Sequence, residues 1–388
     1  MKIDPRILAI KAEVSSWRRD FHENPEILYE VHRTAGIVAA KLREFGCDEV
    51  VEGIGQTGVV GVIHGRKGGS GKVVGLRADM DALPIEEETN LPHRSKTPGK
   101  MHACGHDGHT AMLLGAAKHL AATREFDGTV VVIFQPAEEG GAGGKAMVDD
   151  GMMDRWGIQE VYGMHNMPGI APGHFALRPG AIMAAADQFI VTIEGKGAHA
   201  AAPHLGIDPV VVGAHVITAL QSIASRNVDP LKSVVVSVTM FNAGTAFNII
   251  PSRVELRGTI RTLETPVREF AETRFRTIVE GTAKIFGATA TIEFRKGYPA
   301  TVNHAREAGF ATEIARGIVG PENVDANVAP MMGGEDFSYM LEARPGAYIF
   351  IGNGDTAGLH HPAYDFNDEI IPSGVQIFTS LAQARTAA

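Results

Sequence analysis

The sequence predicts an α/β protein: a mostly parallel sheet flanked by helices, with a smaller ferredoxin-like α+β unit inserted in it. Three observations carry this. Apolar, β-branched runs alternate with helical segments along most of the chain. Those runs are continuous, as in strands covered on both faces. Between residues 186 and 295 the pattern changes to strands with one apolar and one polar face. At 388 residues the chain also exceeds the usual size of one hydrophobic core, so two domains are expected.

In chain order, an amphipathic helix is expected over about 6–22. Strands follow in "TGVVGVIHG" (57–65), "KVVGLRADMD" (72–81), "GTVVVIFQPAEE" (128–139), "EVYGMHNMP" (160–168) and "GAYIFIGNG" (346–354). The segment "GHTAMLLGAAKHLAA" (108–122) reads as a helix between them. In the insertion, "DQFIVTIEG" sets Phe189, Val191 and Ile193 against Gln188, Thr192 and Glu194. "SRVELRGTIRT" (252–262) sets Val254, Leu256 and Ile260 against Arg253, Arg257 and Arg261. "SVVVSVTMF" (233–241) and "ATATIEFR" (288–295) supply two more strands. One helix is expected over about 208–226. A second starts with Thr265 as N-cap and Pro266 at the first helical position, its apolar face formed by Val267, Ala271, Ile278 and Ile285. The order β-α-β-β-α-β is ferredoxin-like, and its open side or edge strand is a natural dimer contact.

Net charge is −9, from 36 basic and 45 acidic residues, without a long basic stretch. Nucleic acid and anionic membrane are therefore not expected partners. No run of 18 apolar residues occurs, and charges interrupt the first twenty residues, which argues against a transmembrane helix and a secretory signal. Cys47 and Cys104 cannot build a disulfide framework, which suits a reducing cytosol. A soluble cytoplasmic protein is expected.

In open parallel sheets, ligands bind beyond the carboxyl ends of the strands. Asp79 and Asp81 follow one strand, Glu138 and Glu139 another; His165 follows "VYGM", and His360 and His361 lie beyond "AYIFIGNG". "MHACGHDGH" (101–109) brings Cys104 and His106 to the same side, before a helix. Thiolate, imidazole and carboxylate together suit zinc or a neighbouring first-row ion better than calcium or magnesium. Their spread over some 250 positions favours an open catalytic site over a closed structural one. Of the pair Glu138–Glu139, one carboxylate can bind metal while the other handles a proton.

Blander readings exist: a polar histidine-rich loop with Cys104 as a small buried hydrophobe, and a solvated Glu138. The glycine run 140–144 lacks the ending of a phosphate loop and is read as a close passage of backbone near the site. Glu335 and Asp336 are expected to favour a helix N-terminus. His22, His102 and His109 are expected to be structural or to support the site.

These segments resemble the M20 metallopeptidase family, in its amidohydrolase branch of hippurate hydrolases, N-acyl-amino-acid amidohydrolases and indole-acetyl-amino-acid hydrolases. The resemblance runs from "WRRDFHENPE" (17–26) through "GKMHACGHDGHTAMLLGAA", "FQPAEEGGAGG", "MHNMP", "GKGAHAAAPHLGIDP", "FNIIPSRVELRGTIRT" and "MGGEDFSYM" to "HHPAYDFND". It implies two divalent metal ions per subunit (zinc, manganese, cobalt or nickel), with Cys104, His106, Glu139, His165 and His360 as ligands. The family pattern selects His360 over His361. It further implies Glu138 as general base and His199 as a catalytic group reaching the partner subunit's site. Asn248 and Arg261 would lie near the substrate. Many relatives have histidine-any-aspartate where this chain has Asp79-Met80-Asp81, which leaves Asp81 as a supporting group.

The implied architecture is a catalytic metal-binding domain of residues 1–184 and 297–388, with an inserted dimerisation domain of residues 185–296. The expected activity is hydrolysis of a small N-acyl amino acid by a homodimer or homotetramer. A metallo-exopeptidase or dipeptidase of the same fold, and a non-catalytic metal-binding protein, are the other readings.

Overall fold

Val130, Val131, Val132, Ile133 and Phe134 are all shielded from solvent, as an unbroken apolar strand requires. The computed structural model describes residues 2–66 and 69–387. Contacts divide the chain into two units: Met1–Ile182 with Val302–Ala329 and Asp336–Ala388, and Met183–Thr301 with Pro330–Glu335.

In the first unit the strand Thr129–Gln135 lies inside an eight-stranded sheet. Val73–Asp79 pairs parallel with Thr129–Gln135 on one side and Glu160–Pro168 on the other, and Gly346–Gly354 continues the parallel run. Four strands thus end on one edge, where the chemistry is expected. The helix His106–Thr123 is buried all round and leaves only Lys118 and Ala122 outside the buried set. Its Met112, Leu113, Leu114 and Leu120 share a core with Val14, Trp17 and Phe21 from the N-terminal region and with Ile371, Val375 and Phe378 near the C-terminus. No helix among the described residues is long and apolar enough to cross a membrane.

Three local expectations need correction. The N-terminal helix is two pieces, Pro5–Ala9 and Lys11–Glu23, joined at Ile10; Asp4 caps the first by accepting from Arg6 N at 2.8 Å. The strand Gly58–His64 is antiparallel to both neighbours, Glu49–Ile54 and Thr129–Gln135. Continuous apolar character reports burial on two faces and carries no information on direction. His165 stands inside the strand Glu160–Pro168, paired with Phe350, instead of following it.

The second unit has four antiparallel strands in the spatial order Val234–Ala243, Arg253–Thr262, Ala185–Glu194, Thr289–Arg295. That arrangement and the helices Pro209–Leu220 and Thr265–Ile285 make the ferredoxin-like pattern. Phe189, Val191, Ile193, Val254, Leu256 and Ile260 face one core with residues of both helices. The first helix is regular only to Leu220 and ends in a wider turn, Ile223–Asn227. In the second, Glu264 occupies the cap position and Thr265 is already helical. Its buried stripe is Ala271, Phe275, Val279 and Ala283, spaced by four, whereas Ile285 is 83% exposed. The stripe rotates away from the expected face because Phe275 and Val279 bring more apolar surface to the sheet.

Candidate metal centre

Within the first unit, Asp79 is the last residue of its strand, and Glu138 and Glu139 lie just beyond Gln135. Cys104 and His106 flank Gly105 at the start of the long helix. His360 lies in the loop after Gly354 and is tied back by its N–H to Ala103 O at 2.8 Å. Beside the site Ala137 (φ 54°) and His360 (φ 63°) adopt the left-handed region, each at a cost of about 1–2 kcal/mol.

Donor atoms of these segments meet. Cys104, His106 and His165 form one group, Cys104, Glu139 and His360 a second, and His106, Glu138 and Glu139 a third; within each group the donor atoms lie within 4.8 Å of one another. Bonds of about 2.0–2.3 Å to a shared ion would place opposite donors at nearly that spacing. Cys104 belongs to two groups, and its Sγ is 3.4 Å from His165 Nε2. His360 Nε2 lies 3.3 Å from Glu139 Oε1. His361 instead accepts the Ala363 N–H at 3.0 Å.

The imidazoles are set for metal binding by their other nitrogen. His106 Nδ1 donates to Asp81 O at 2.8 Å, and His165 Nδ1 donates to Asn166 O at 2.6 Å. In both rings Nε2 is therefore the nitrogen left to bind an ion once it is unprotonated. His106 Nε2 is shut from solvent without a hydrogen-bond partner, and Glu139 Oε1, 3.9 Å away and equally shut off, faces the His360 imidazole at 3.3 Å. A buried polar atom left like His106 Nε2 is costly unless something binds it.

The charge balance agrees. Burial pushes the Cys104 thiol far up, and Glu139, Glu138 and Asp79 push it further. Burial opposes charge on His106, yet Asp79, Asp81 and Glu139 hold its pKa at about 10. Burial drives His165 well below the usual histidine range, with His109 adding to the effect. Burial opposes ionisation of Glu139, but His360 and His106 bring its pKa down overall. The same carboxylates raise both Cys104 and His106, and a divalent cation among them would act in the opposite sense, favouring the thiolate and the neutral imidazole. The donor set fits such an ion.

A supporting network lies beneath. Asp81 accepts the N–H groups of Glu138 and Glu139 at 2.9 and 3.1 Å, fixing the turn that carries both carboxylates. Asp79, fully buried, accepts from Arg77 and from His109 Nδ1, both at 2.6 Å. His109 Nε2 accepts the Asn166 N–H at 2.9 Å, so both its nitrogens are engaged and it serves as a brace. Asp336 stands just before the cap of the helix Ser338–Ala343, at a helix N-terminus as expected. Its carboxylate is also buried, accepting from Arg77 at 3.0 Å, Gln135 at 2.7 Å and Gly144 N at 2.8 Å. The glycine run does bring backbone close, since a Cβ on Gly143 would stand 1.7 Å from Pro136 O. His22 Nδ1 lies 2.8 Å from Asp107 Oδ2 and its Nε2 3.2 Å from Glu87, a structural cluster in line with expectation. Arg77, Asn166 and Tyr364 were not anticipated. An arginine inside the apolar run "VVGLRAD" was the available signal, because a buried charge demands partners.

His199, Asn248 and Arg261 belong to the second unit. His199 pairs with Ile249, and Ala200 N donates to Asn248 O at 3.0 Å. His199 Nδ1 accepts the Ala201 N–H at 3.0 Å, which leaves Nε2–H as an outward donor. His199 and Asn248 line a cavity of about 480 Å³ with Ile249, Ile250, Pro251 and Ser252. Arg261 is not part of that lining; it turns onto Thr259 Oγ1 and, at 3.5 Å, Asp187 O.

Known proteins resemble this chain along nearly its whole length. The family model described as peptidase family M20/M25/M40 matches residues 75–384. A hippurate hydrolase of Campylobacter jejuni is 44% identical over 382 residues, covering 98% of this chain and 99% of that protein. An N-acetylcysteine deacetylase of Bacillus subtilis is 38% identical, covering 96% and 97%. A crystal structure from Bacillus subtilis, described as a dinuclear metal binding peptidase from the M20 family, superposes with a TM-score of 0.84 at 35% identity, covering 97% and 98%.

Proposed function

Since the chain belongs to peptidase family M20/M25/M40, we propose that it is a metal-dependent amidohydrolase that cleaves the amide bond of N-acyl amino acids to a carboxylic acid and a free amino acid. The observation that carries this is the convergence of thiol, imidazole and carboxylate donors on one sheet edge, with His106 Nε2 buried and unpartnered. Cys104, His106, Glu139, His165 and His360 would hold two divalent ions, Cys104 being common to two donor groups. Zinc, manganese, cobalt and nickel all suit these donors. When bound, such an ion acidifies water and polarises a carbonyl.

The protein's own groups do the rest. Glu138, buried beside Glu139 and fixed through its N–H to Asp81, takes the proton of the attacking water and returns it to the departing nitrogen. The chain acts as a cytoplasmic homodimer or homotetramer in which the Nε2–H of His199 serves the oxyanion in the partner's site. Asn248 and Arg261 receive the substrate carboxylate by charge-assisted and amide hydrogen bonds. For Arg261 this requires exchanging its present carbonyl partners for substrate.

The test is a panel of hippurate, N-acetyl amino acids, indole-acetyl amino acids and dipeptides, run after chelation and after return of each metal. Activity on N-acyl amino acids should vanish with chelation and recover with metal. Faster cleavage of dipeptides would make the chain an exopeptidase, and stoichiometric metal without amide cleavage would make it a binding protein.

A further inference from the structure

Every polar group of Asn166 is engaged, and the partners connect two proposed ligands that lie 61 positions apart. Its main-chain carbonyl accepts from His165 Nδ1 at 2.6 Å, which fixes the imidazole's tautomer and rotation. Its Nδ2 donates to the carbonyl of Cys104 at 2.7 Å and shares the His109 Nε2 lone pair at 3.0 Å with its own N–H. The orientation of the amide is settled by chemistry: a carbonyl cannot donate, so the nitrogen must face Cys104. Oδ1 then faces Tyr364, whose hydroxyl donates to it at 2.6 Å. Tyr364 is fully buried. Between the two ligands, Gly105 adopts φ +86°, and a Cβ there would stand 2.2 Å from Asn166 Nδ2 and 2.5 Å from the Tyr364 hydroxyl. The brace fills the space a side chain would take.

We propose that Asn166, locked by Tyr364, is the positioning residue that holds Cys104 Sγ and His165 Nε2 together for a shared cation, an inference that rests on the metal reading above. Its side chain holds the Cys104 main chain and anchors the stretch of backbone whose carbonyl receives the His165 ring, so removing the amide frees the Cys104 loop directly and loosens His165 through the backbone. Outer groups that orient ligands typically affect metal affinity by about 10- to 100-fold.

Wild type, Asn166→Ala and Tyr364→Phe are prepared metal-free under reducing conditions and titrated with Co²⁺ against a competing chelator. The thiolate-to-cobalt charge-transfer band and the thermal midpoint of the metal-free protein are also recorded. Asn166→Ala should lose about 10- to 100-fold in Co²⁺ affinity, with a weakened or shifted charge-transfer band. Tyr364→Phe removes one hydrogen bond and should move both readouts the same way, by roughly 2- to 13-fold in affinity. If Asn166→Ala does not fold, Tyr364→Phe decides. Variants with wild-type affinity and band but a lower midpoint would overturn the proposal and leave a purely structural role. Wild type binding Co²⁺ without a thiolate band would overturn the assignment of Cys104 as a ligand, before any variant is compared.

Discussion

Replacing Asp81 by asparagine tests how the two catalytic-loop carboxylates are held. Asp81 is 1% exposed, accepts from Glu138 N at 2.9 Å and Glu139 N at 3.1 Å, and lies 3.6 Å from His106 Nδ1. Burial raises its pKa overall, although His106 and the Glu138 amide pull the other way. Asparagine keeps one oxygen to accept one amide and presents an NH₂ group to the other, so one charge-assisted bond is lost and two donors face each other. Hydrogen bonds to charged groups contribute about 1.5–3 kcal/mol each, and a buried orphaned donor costs about 1–3 kcal/mol. A loss of about 2–3 kcal/mol in holding Glu138 and Glu139 corresponds to roughly 30- to 150-fold, at about 1.4 kcal/mol per tenfold. The expected result is a fall of that size in kcat/KM for hippurate, with the far-ultraviolet spectrum unchanged. Asp81→Ala, which removes both acceptors, should fall further. Wild-type kcat/KM in Asp81→Asn would refute the view that this carboxylate positions the turn.

Glu138→Gln should retain bound metal by elemental analysis while kcat/KM drops by about 10²- to 10⁴-fold; unchanged turnover would remove Glu138 as the base. Gly105→Ala places a Cβ against Asn166 and Tyr364 at φ +86°, and should cost more than about 2 kcal/mol in denaturant unfolding. A neutral alanine there would contradict the close packing. Burial raises the pKa of Glu87, but His22, Thr89 and the Ser95 N–H bring it down to about 2 from an ordinary value of 4.5. The folded carboxylate thus binds its proton more weakly than the unfolded one. Its stabilisation is complete above pH 4.5 and is lost as pH falls toward about 2. Glu87→Gln should flatten the thermal midpoint against pH across that window, and parallel profiles for the two proteins would disprove the pairing.

The order of elements was legible in the sequence because strand burial and helix amphipathicity leave local, periodic traces. Cys104, His106 and the Glu138–Glu139 pair stood out for a similar reason: unusual residue types crowd together next to strand ends. Direction was not encoded in that way, and Gly58–His64 runs against its neighbours although its apolar run resembles theirs. Nor was the exact face of Thr265–Ile285, where competition among several apolar residues for one sheet surface selected Phe275 and Val279 over Ile285.

By itself the sequence determined the class of fold, the chemistry of the donor groups and the edge of the sheet on which they gather. Only the tertiary structure decided which nitrogen of each imidazole is free and that Asn166 joins Cys104 to His165. It also decided that Arg77 meets Asp336 across 259 positions and Tyr364 meets Asn166 across 198. Periodicity records how a residue relates to its own backbone. A single hydrogen bond between distant segments repeats nowhere along the chain, so its partners become visible only when packing brings them together.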